Sequence, residues 1–228
     1  MSWHSKVIVA LDYENPDEAC RLIDTLDKKI ECYKLGPQLF TRSGPEMIQY
    51  LHNKKKQIFV DLKLHDTPSV VSHTVRQLAE MGVHYTTVHC LGGKQLLEAA
   101  ASGCRGSRLK LLGVTLLTSF NHEEAKQWGW SEPAGELVYK LAEQAVQARL
   151  SGVLCSVQEA EQLRERLPQG FLLITPGIRL LNKEVFQDDQ VRVASPKEAF
   201  KVGADFLIVG RPITQARDPK LVVEQLFA

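Results

Sequence analysis

The 228-residue sequence has no surplus of charge, with 28 Lys and Arg against 27 Asp and Glu. Such a balance gives no global basic field to attract nucleic acid or an anionic membrane, so any anionic ligand must be gripped locally. Long hydrophobic runs are also missing. The longest are about five to seven residues, against the ~20 needed to span a bilayer. The N-terminal MSWHSK has no signal-peptide core, and a cytoplasmic protein with neither nucleic-acid nor membrane partner is expected. The five cysteines, Cys20, Cys32, Cys90, Cys104 and Cys155, are scattered and form no C-x-x-C pair, which argues against a disulfide framework or a zinc site. No G-x-G-x-x-G or Walker pattern suggests a dinucleotide or a nucleoside triphosphate, and no G-x-S-x-G suggests a hydrolase nucleophile. His65 beside Asp66 and His89 beside Cys90 lack a supporting ligand spacing, and His4, His52, His73, His84 and His122 fall on loops or helix faces. No metal is expected.

What is present is regular. Short β-branched runs at 6–11, 32–35, 58–61, 85–89, 110–116, 152–155, 171–174 and 206–209 alternate with amphipathic stretches. Those stretches lie at 16–26, 45–52, 69–81, 134–150, 157–166, 196–202 and 218–227, with a short one at 93–101. Strict alternation implies right-handed crossovers and a parallel sheet, and eight units in this length match a lean (β/α)8 TIM barrel. A doubly wound open sheet is the alternative. No linker, repeat or low-complexity segment divides the chain, so a single domain over 1–228 is expected.

In a barrel, chemistry belongs at the C-terminal ends of the strands, and the polar residues fall there. The densest stretch is 58–70, IFVDLKLHDTPSV. On a regular strand Asp61 and Lys63 share one face. Asp66 follows on a turn, because Pro68 biases Thr67 away from helix. A solvated salt bridge at a strand end is the plainer reading of the same charges. Lys34, in YKLGPQLF, must snorkel outward or find acids inside. Inward, it would join Asp61 and Lys63, where unlike charges ~4 Å apart attract by ~4 kcal/mol at an effective dielectric of about 20. Strand one ends at Asp12, strand five runs to Thr115, Thr118 and Ser119, and strand six ends quietly at Cys155 and Ser156. The loops after strands seven and eight are a frequent phosphate site in barrels. Here they carry Arg179 and Gly210-Arg211, a bidentate donor beside a glycine.

Taken together, VALDYEN, YKLGPQLF, DLKLHDTP, LLTSF, TPGIR, DDQVRVASP and VGRPITQARDP resemble the orotidine 5′-phosphate decarboxylase family in its bacterial form, over essentially the whole chain. The resemblance implies a homodimer of barrels that converts orotidine 5′-phosphate to UMP and carbon dioxide without metal or organic cofactor. By matched positions, it implies Lys63 as proton donor to C6, Asp61 against the departing carboxylate, Lys34 completing the charged array, and Asp66 reaching into the partner's site. It further implies Asp12 and Lys34 on ribose hydroxyls, Thr118 and Ser119 beside the base, and Pro176 lining its pocket. Arg179, Gln190, Gly210 and Arg211 would hold the phosphate, and 180–190 would form a lid. The family commonly offers the ribose a hydroxyl where this chain has Val70, and Thr67 or Ser69 is the nearby substitute. The segment 121–135, with Trp128 and Trp130, has no catalytic reading. Two alternatives stay open: a magnesium-dependent sugar-phosphate relative sharing D-x-K-x-x-D, and a phosphate-binding barrel whose charges serve only a dimer interface.

Overall fold

The computed structural model describes residues 3–117, 129–130, 132–179 and 193–226. The expectations for Thr118, Ser119, His122 and Gln190, for the lid at 180–190 and for most of 121–135 lie outside them. Eight strands close into a parallel barrel in sequence order: β1 (Val7–Ala10), β2 (Cys32–Leu35), β3 (Gln57–Leu64), β4 (Tyr85–His89), β5 (Lys110–Val114), β6 (Gly152–Leu154), β7 (Leu172–Thr175) and β8 (Phe206–Val209). The outer layer comprises α1 (Pro16–Leu26), α2 (Pro37–Asn53), α3 (Pro68–Glu80), α4 (Gly93–Gly103), α5 (Ala134–Gln147), α6 (Val157–Arg166), α7 (Pro196–Lys201), α8 (Arg211–Thr214) and α9 (Pro219–Gln225). The closed order rules out the open sheet.

Because helices cover the outside and side chains fill the inside, both faces of each strand are buried, and the strands read as continuous apolar runs. All eight strands contribute to the interior core: Ile8 and Ala10, Cys32, Phe59, Tyr85, Leu112, Leu154, Ile174 and Ile208. A second cluster, including Tyr33, Leu35, Val60 and Val209, packs outward against the helices. Cys32 faces inward and Tyr33 outward, so Lys34 has the inward parity.

Two expectations need correction, and one short helix has no counterpart in the sequence pattern. The third strand does not stop at 61 but runs to Leu64, which pairs with Val88 on β4. The second helix does not begin at Pro45. It begins at Pro37, and two helical segments meet at a kink where Ser43 has φ −159° and ψ 41°. A proline inside a helix removes an i→i−4 bond and clashes with the preceding turn, so the kink sits just before it. Finally, α8 directly follows Gly210 and is too short to show a period.

Candidate active site

Four charged side chains line up at the C-terminal mouth of the barrel. Lys34 Nζ lies 3.3 Å from Asp12 Oδ1 and 3.6 Å from Asp61 Oδ2, and Lys63 Nζ lies 2.8 Å from the same Asp61 oxygen. The signs alternate along Asp12, Lys34, Asp61 and Lys63. Asp61 is 2% exposed and Lys34 8% exposed, so water contributes little screening to the central pair. Burial alone would raise the Asp61 carboxyl, but Lys34 and Lys63 beside it and the hydrogen bonds from Lys63 and Thr87 hold it below the ordinary aspartate value. Burial likewise pulls Lys34 down, and the charges of Asp61 and Asp12 reverse that, leaving its ammonium above the ordinary lysine value. Both central groups are therefore held charged in a place where neither would stay charged alone. This excludes a solvated salt bridge and fixes Lys34 as inward.

The local chain explains the packing. Gly36 follows β2, and a Cβ there would stand 2.8 Å from Asp12 Oδ1 and 3.3 Å from Lys34 Nζ. A side chain at that position would occupy the space of the ion pair. On β3 the expected shared face of Asp61 and Lys63 is reached by a different route. The ladder with β4 pairs Val60 with Thr86 and then Leu64 with Val88, so three residues of β3, Asp61 to Lys63, stand against one of β4. Lys63 has a left-handed φ of 48°, rare for a residue with a side chain. Thr87, fully buried, fills the gap: its hydroxyl donates to Asp61 Oδ1 at 2.9 Å and accepts the Lys63 N–H at 2.8 Å.

These groups open onto a cavity of about 720 Å³. Asp12, Lys34, Asp61 and Lys63 form one wall, and Pro176, Arg179, Gly210 and Arg211 another. In an eight-strand ring β7 stands diametrically across from β3, so Arg179 faces the Asp61/Lys63 end of the array, while Arg211 follows β8, which pairs with β1 beside the Asp12 end. Apolar Val114, Leu116, Leu154 and Ile208 lie between. A charged array at one end, a basic grip at the other and an apolar middle suit a flat ring carrying a phosphorylated tail. Among the described residues, no three His, Cys, Asp or Glu side chains group as metal ligands would.

Asp66 and Thr67 are not brought into this cavity. Both are exposed on the turn after β3, where the Thr67 N–H donates to Asp66 Oδ1 at 2.5 Å. Ser69 and Val70 are exposed as well, Val70 at 49%. His65 and His89 stack, with ring centroids 5.4 Å apart, beside the array. Burial, helped by the neighbouring charges of His65 and Lys63, holds His89 below the ordinary imidazole value.

Sequence reasoning missed several residues. Thr87 carried no signal, since a threonine within YTTVH reads as an ordinary strand former. Tyr13 and Thr214 line the cavity, and the Tyr13 hydroxyl donates to the Thr214 carbonyl at 3.1 Å, tying the loop after β1 to α8. Cys155, at the strand end that reads as quiet, also lines the cavity.

The comparisons with known proteins agree with this geometry. A family model described as "Orotidine 5'-phosphate decarboxylase / HUMPS family" matches residues 5–226. An orotidine 5′-phosphate decarboxylase of Saccharophagus degradans is 40% identical over 225 residues, covering 98% of this chain and 94% of the relative. One of Tolumonas auensis is 43% identical over 224 residues, covering 97% and 96%. Among solved structures, orotidine 5′-phosphate decarboxylase from Lactobacillus acidophilus superposes with a TM-score of 0.85 at 35% identity, covering 97% of each chain. An uncharacterized conserved protein from Geobacillus kaustophilus gives 0.83 at 31%, covering 96% and 97%. With an Asp/Lys array and two arginines lining one cavity at a barrel mouth, and with these matches along nearly its whole length, the chain belongs to the orotidine 5′-phosphate decarboxylase / HUMPS family.

Proposed function

We propose that this protein decarboxylates orotidine 5′-phosphate to UMP and carbon dioxide. The observation that carries the reading is the alternating array of Asp12, Lys34, Asp61 and Lys63, buried at its central Lys34–Asp61 pair, in one cavity with Arg179 and Arg211. Cleaving the C6–carboxylate bond leaves its electron pair on C6, where no conjugated sink accepts it. A fixed ammonium beside that carbon stabilises the developing charge without reorganisation. Lys63 then transfers a proton to C6, carbon dioxide leaves, and solvent reprotonates the neutral amine. Asp61 lies beside the position of the departing carboxylate and pairs with the Lys63 ammonium at 2.8 Å. Asp12 and Lys34 also suit ribose hydroxyls. The phosphate, gripped by Arg179, Arg211 and the Gly210 backbone, is remote from the reacting bond, so its binding energy serves positioning. The family resemblance adds Thr118 and Ser119 at the base, Pro176 in its pocket, Gln190 on the phosphate and the 180–190 segment as lid.

The active form is a homodimer in this reading. Asp66 projects from the exposed turn directly after the Asp61/Lys63 strand, outside its own cavity, and the exposed surface continues through Ser69 and Val70, the latter 49% exposed. An acid on this exposed turn suits delivery to the partner's array, and Thr67 goes with it toward the partner's ribose. The protein works in the cytoplasm. Among the described residues no helix is long and apolar enough to cross a membrane.

The test is the ultraviolet absorbance of orotidine 5′-phosphate on mixing with purified protein in EDTA. Loss of the substrate band with formation of UMP is expected. An unchanged spectrum overturns the reading, and turnover that appears only when magnesium is restored points instead to the metal-dependent branch of the family.

A further inference from the structure

The reaction as derived uses Lys63 and Asp61 but leaves open what holds them. On a regular strand, residues two apart sit ~6.5 Å along the chain with parallel side chains, yet Lys63 Nζ is 2.8 Å from Asp61 Oδ2. Three features of the structure converge on one side chain. The β3–β4 register advances four residues on β3, from Val60 to Leu64, while advancing two on β4, from Thr86 to Val88. Lys63 adopts φ 48°, the one left-handed non-glycine backbone within the strands. The single residue opposite this bulge, Thr87, is fully buried and uses both capacities of its hydroxyl there.

We propose that Thr87 is a positioning residue for the decarboxylation, its hydroxyl replacing the interrupted ladder and setting the Asp61–Lys63 spacing. By accepting the Lys63 N–H, it stabilises a backbone conformation that a lysine otherwise disfavours. By donating to Asp61 Oδ1, it leaves Oδ2 for the two ammonium groups, at 2.8 and 3.6 Å. One hydroxyl thereby sets both the direction of the proton donor and the face of the carboxylate it meets. Its neighbour Thr86 provides a contrast. That hydroxyl is equally buried but donates to the Val60 carbonyl, ordinary strand backbone. Bulges are over-represented beside active sites because they re-aim side chains, and here the residue that holds the bulge is identifiable.

The activity arm of the test rests on the decarboxylase reading; the structural arm does not. Thr87→Val keeps the shape and removes both hydrogen bonds, while Thr87→Ser keeps both. The expected result is a fall in kcat of roughly 100-fold for the valine variant, the scale of a reacting group misplaced by about 1 Å. KM should change by less than about threefold, because the phosphate grip lies across the barrel. The acid limb of the kcat profile should move to higher pH, since Asp61 loses a hydrogen bond that favours its charged form. Serine should restore most of kcat. In a crystal structure of Thr87→Val, the Lys63–Asp61 contact should open beyond 4 Å, whatever the enzyme turns over. A valine variant with wild-type kcat, or with the 2.8 Å contact intact, overturns the proposal, as does a serine variant as slow as the valine one. A wild-type protein that leaves orotidine 5′-phosphate untouched overturns the decarboxylase reading instead, and the crystal structure still decides the role of Thr87.

Discussion

Among the described residues, one ion network stands at each end of the barrel, built from the same kinds of side chain for opposite purposes. At the floor, Arg164 on α6 pairs with Asp205 at 2.6 Å, donates to the Gly203 carbonyl at 2.9 and 3.2 Å, and donates to the Phe171 carbonyl at 3.0 Å. Asp205 also accepts the Leu173 N–H at 2.8 Å. Both charges are partly exposed, with side chains at 29% and 37%. The left-handed backbone beneath them, at φ 95°, falls on Gly203, where it costs little. At the mouth, Asp61 and Lys34 are buried, two ammonium groups share one carboxylate oxygen, and the left-handed backbone falls on Lys63. The floor satisfies its charges with main-chain partners and ties β7, β8 and α6 together. The mouth keeps its charges crowded and aimed at a cavity, an arrangement that costs stability and gains chemistry.

That contrast sets the predictions, beginning with the largest effect. In the proposed mechanism Lys63→Ala removes both the proton donor and the charge beside C6, so turnover should fall by at least about 10⁴-fold. Far-ultraviolet circular dichroism should stay native, because Asp61 keeps Lys34 and Thr87 as partners. Arg211→Ala removes the charged grip proposed for the phosphate, worth about 1.5–3 kcal/mol. Steady-state kinetics should show kcat/KM down roughly 10- to 100-fold.

Gly36→Ala places a methyl 2.8 Å from Asp12 Oδ1. Asp12 is half exposed and can swing aside, so kcat/KM should drop about tenfold with little change in melting temperature. At the floor the readouts exchange. Arg164→Ala should lower stability by roughly 2–3 kcal/mol, which for a chain of this size is about 4–12 °C in Tm. Its kcat at 25 °C should match wild type.

The smallest effect concerns pH. His84 Nδ1 accepts the Ile58 N–H at 3.2 Å. Burial, then the neighbouring His52, holds its pKa below the ordinary histidine value, so the unfolded chain takes up this proton first. The contribution is whole above pH ~6.5 and is lost as the pH falls through that value toward the folded one. Replacing His84 with Gln should flatten that part of the Tm profile by about 2 °C or less. The mouth sets the outer limits with opposite signs. The depressed Asp61 contributes above the ordinary aspartate value, and that contribution is lost as pH falls through its folded pKa. The raised Lys34 contributes below the ordinary lysine value, and that contribution is lost as pH rises through its folded pKa.

The barrel was legible because strand and helix periods alternate without interruption, and β2, β4 and β8 have the bounds their apolar runs suggest. Lys34 was legible because a lysine within CYKL has few alternatives to an acid partner. Asp61 and Lys63 were placed together for a reason only partly right. Period-two alternation puts them on one face, but their contact depends on a bulge, and a bulge is set by the neighbouring strand. Nothing local to β3 names Thr87, which lies 24 residues from Lys63. The kink at Ser43 was hidden for a similar reason, since Pro45 reads as a helix start when only the local chain is considered. Asp66 shows the limit of a single chain, because its charge was evident while the destination proposed for it lies on another molecule.

The central claim is that the residues from Asp61 to Asp66 build two active sites at once, Lys63 in its own barrel and Asp66 in the partner's. Subunit complementation tests it most directly. Lys63→Ala and Asp66→Ala, each inactive alone, are mixed, dissociated and reassociated, and orotidine 5′-phosphate turnover is measured. Half the dimers are then hybrids with one intact site of two, so activity should return to about a quarter of wild type for a symmetric pair. If the mixture stays as inactive as its parents, Asp66 does not act across the interface and the account is wrong at its centre.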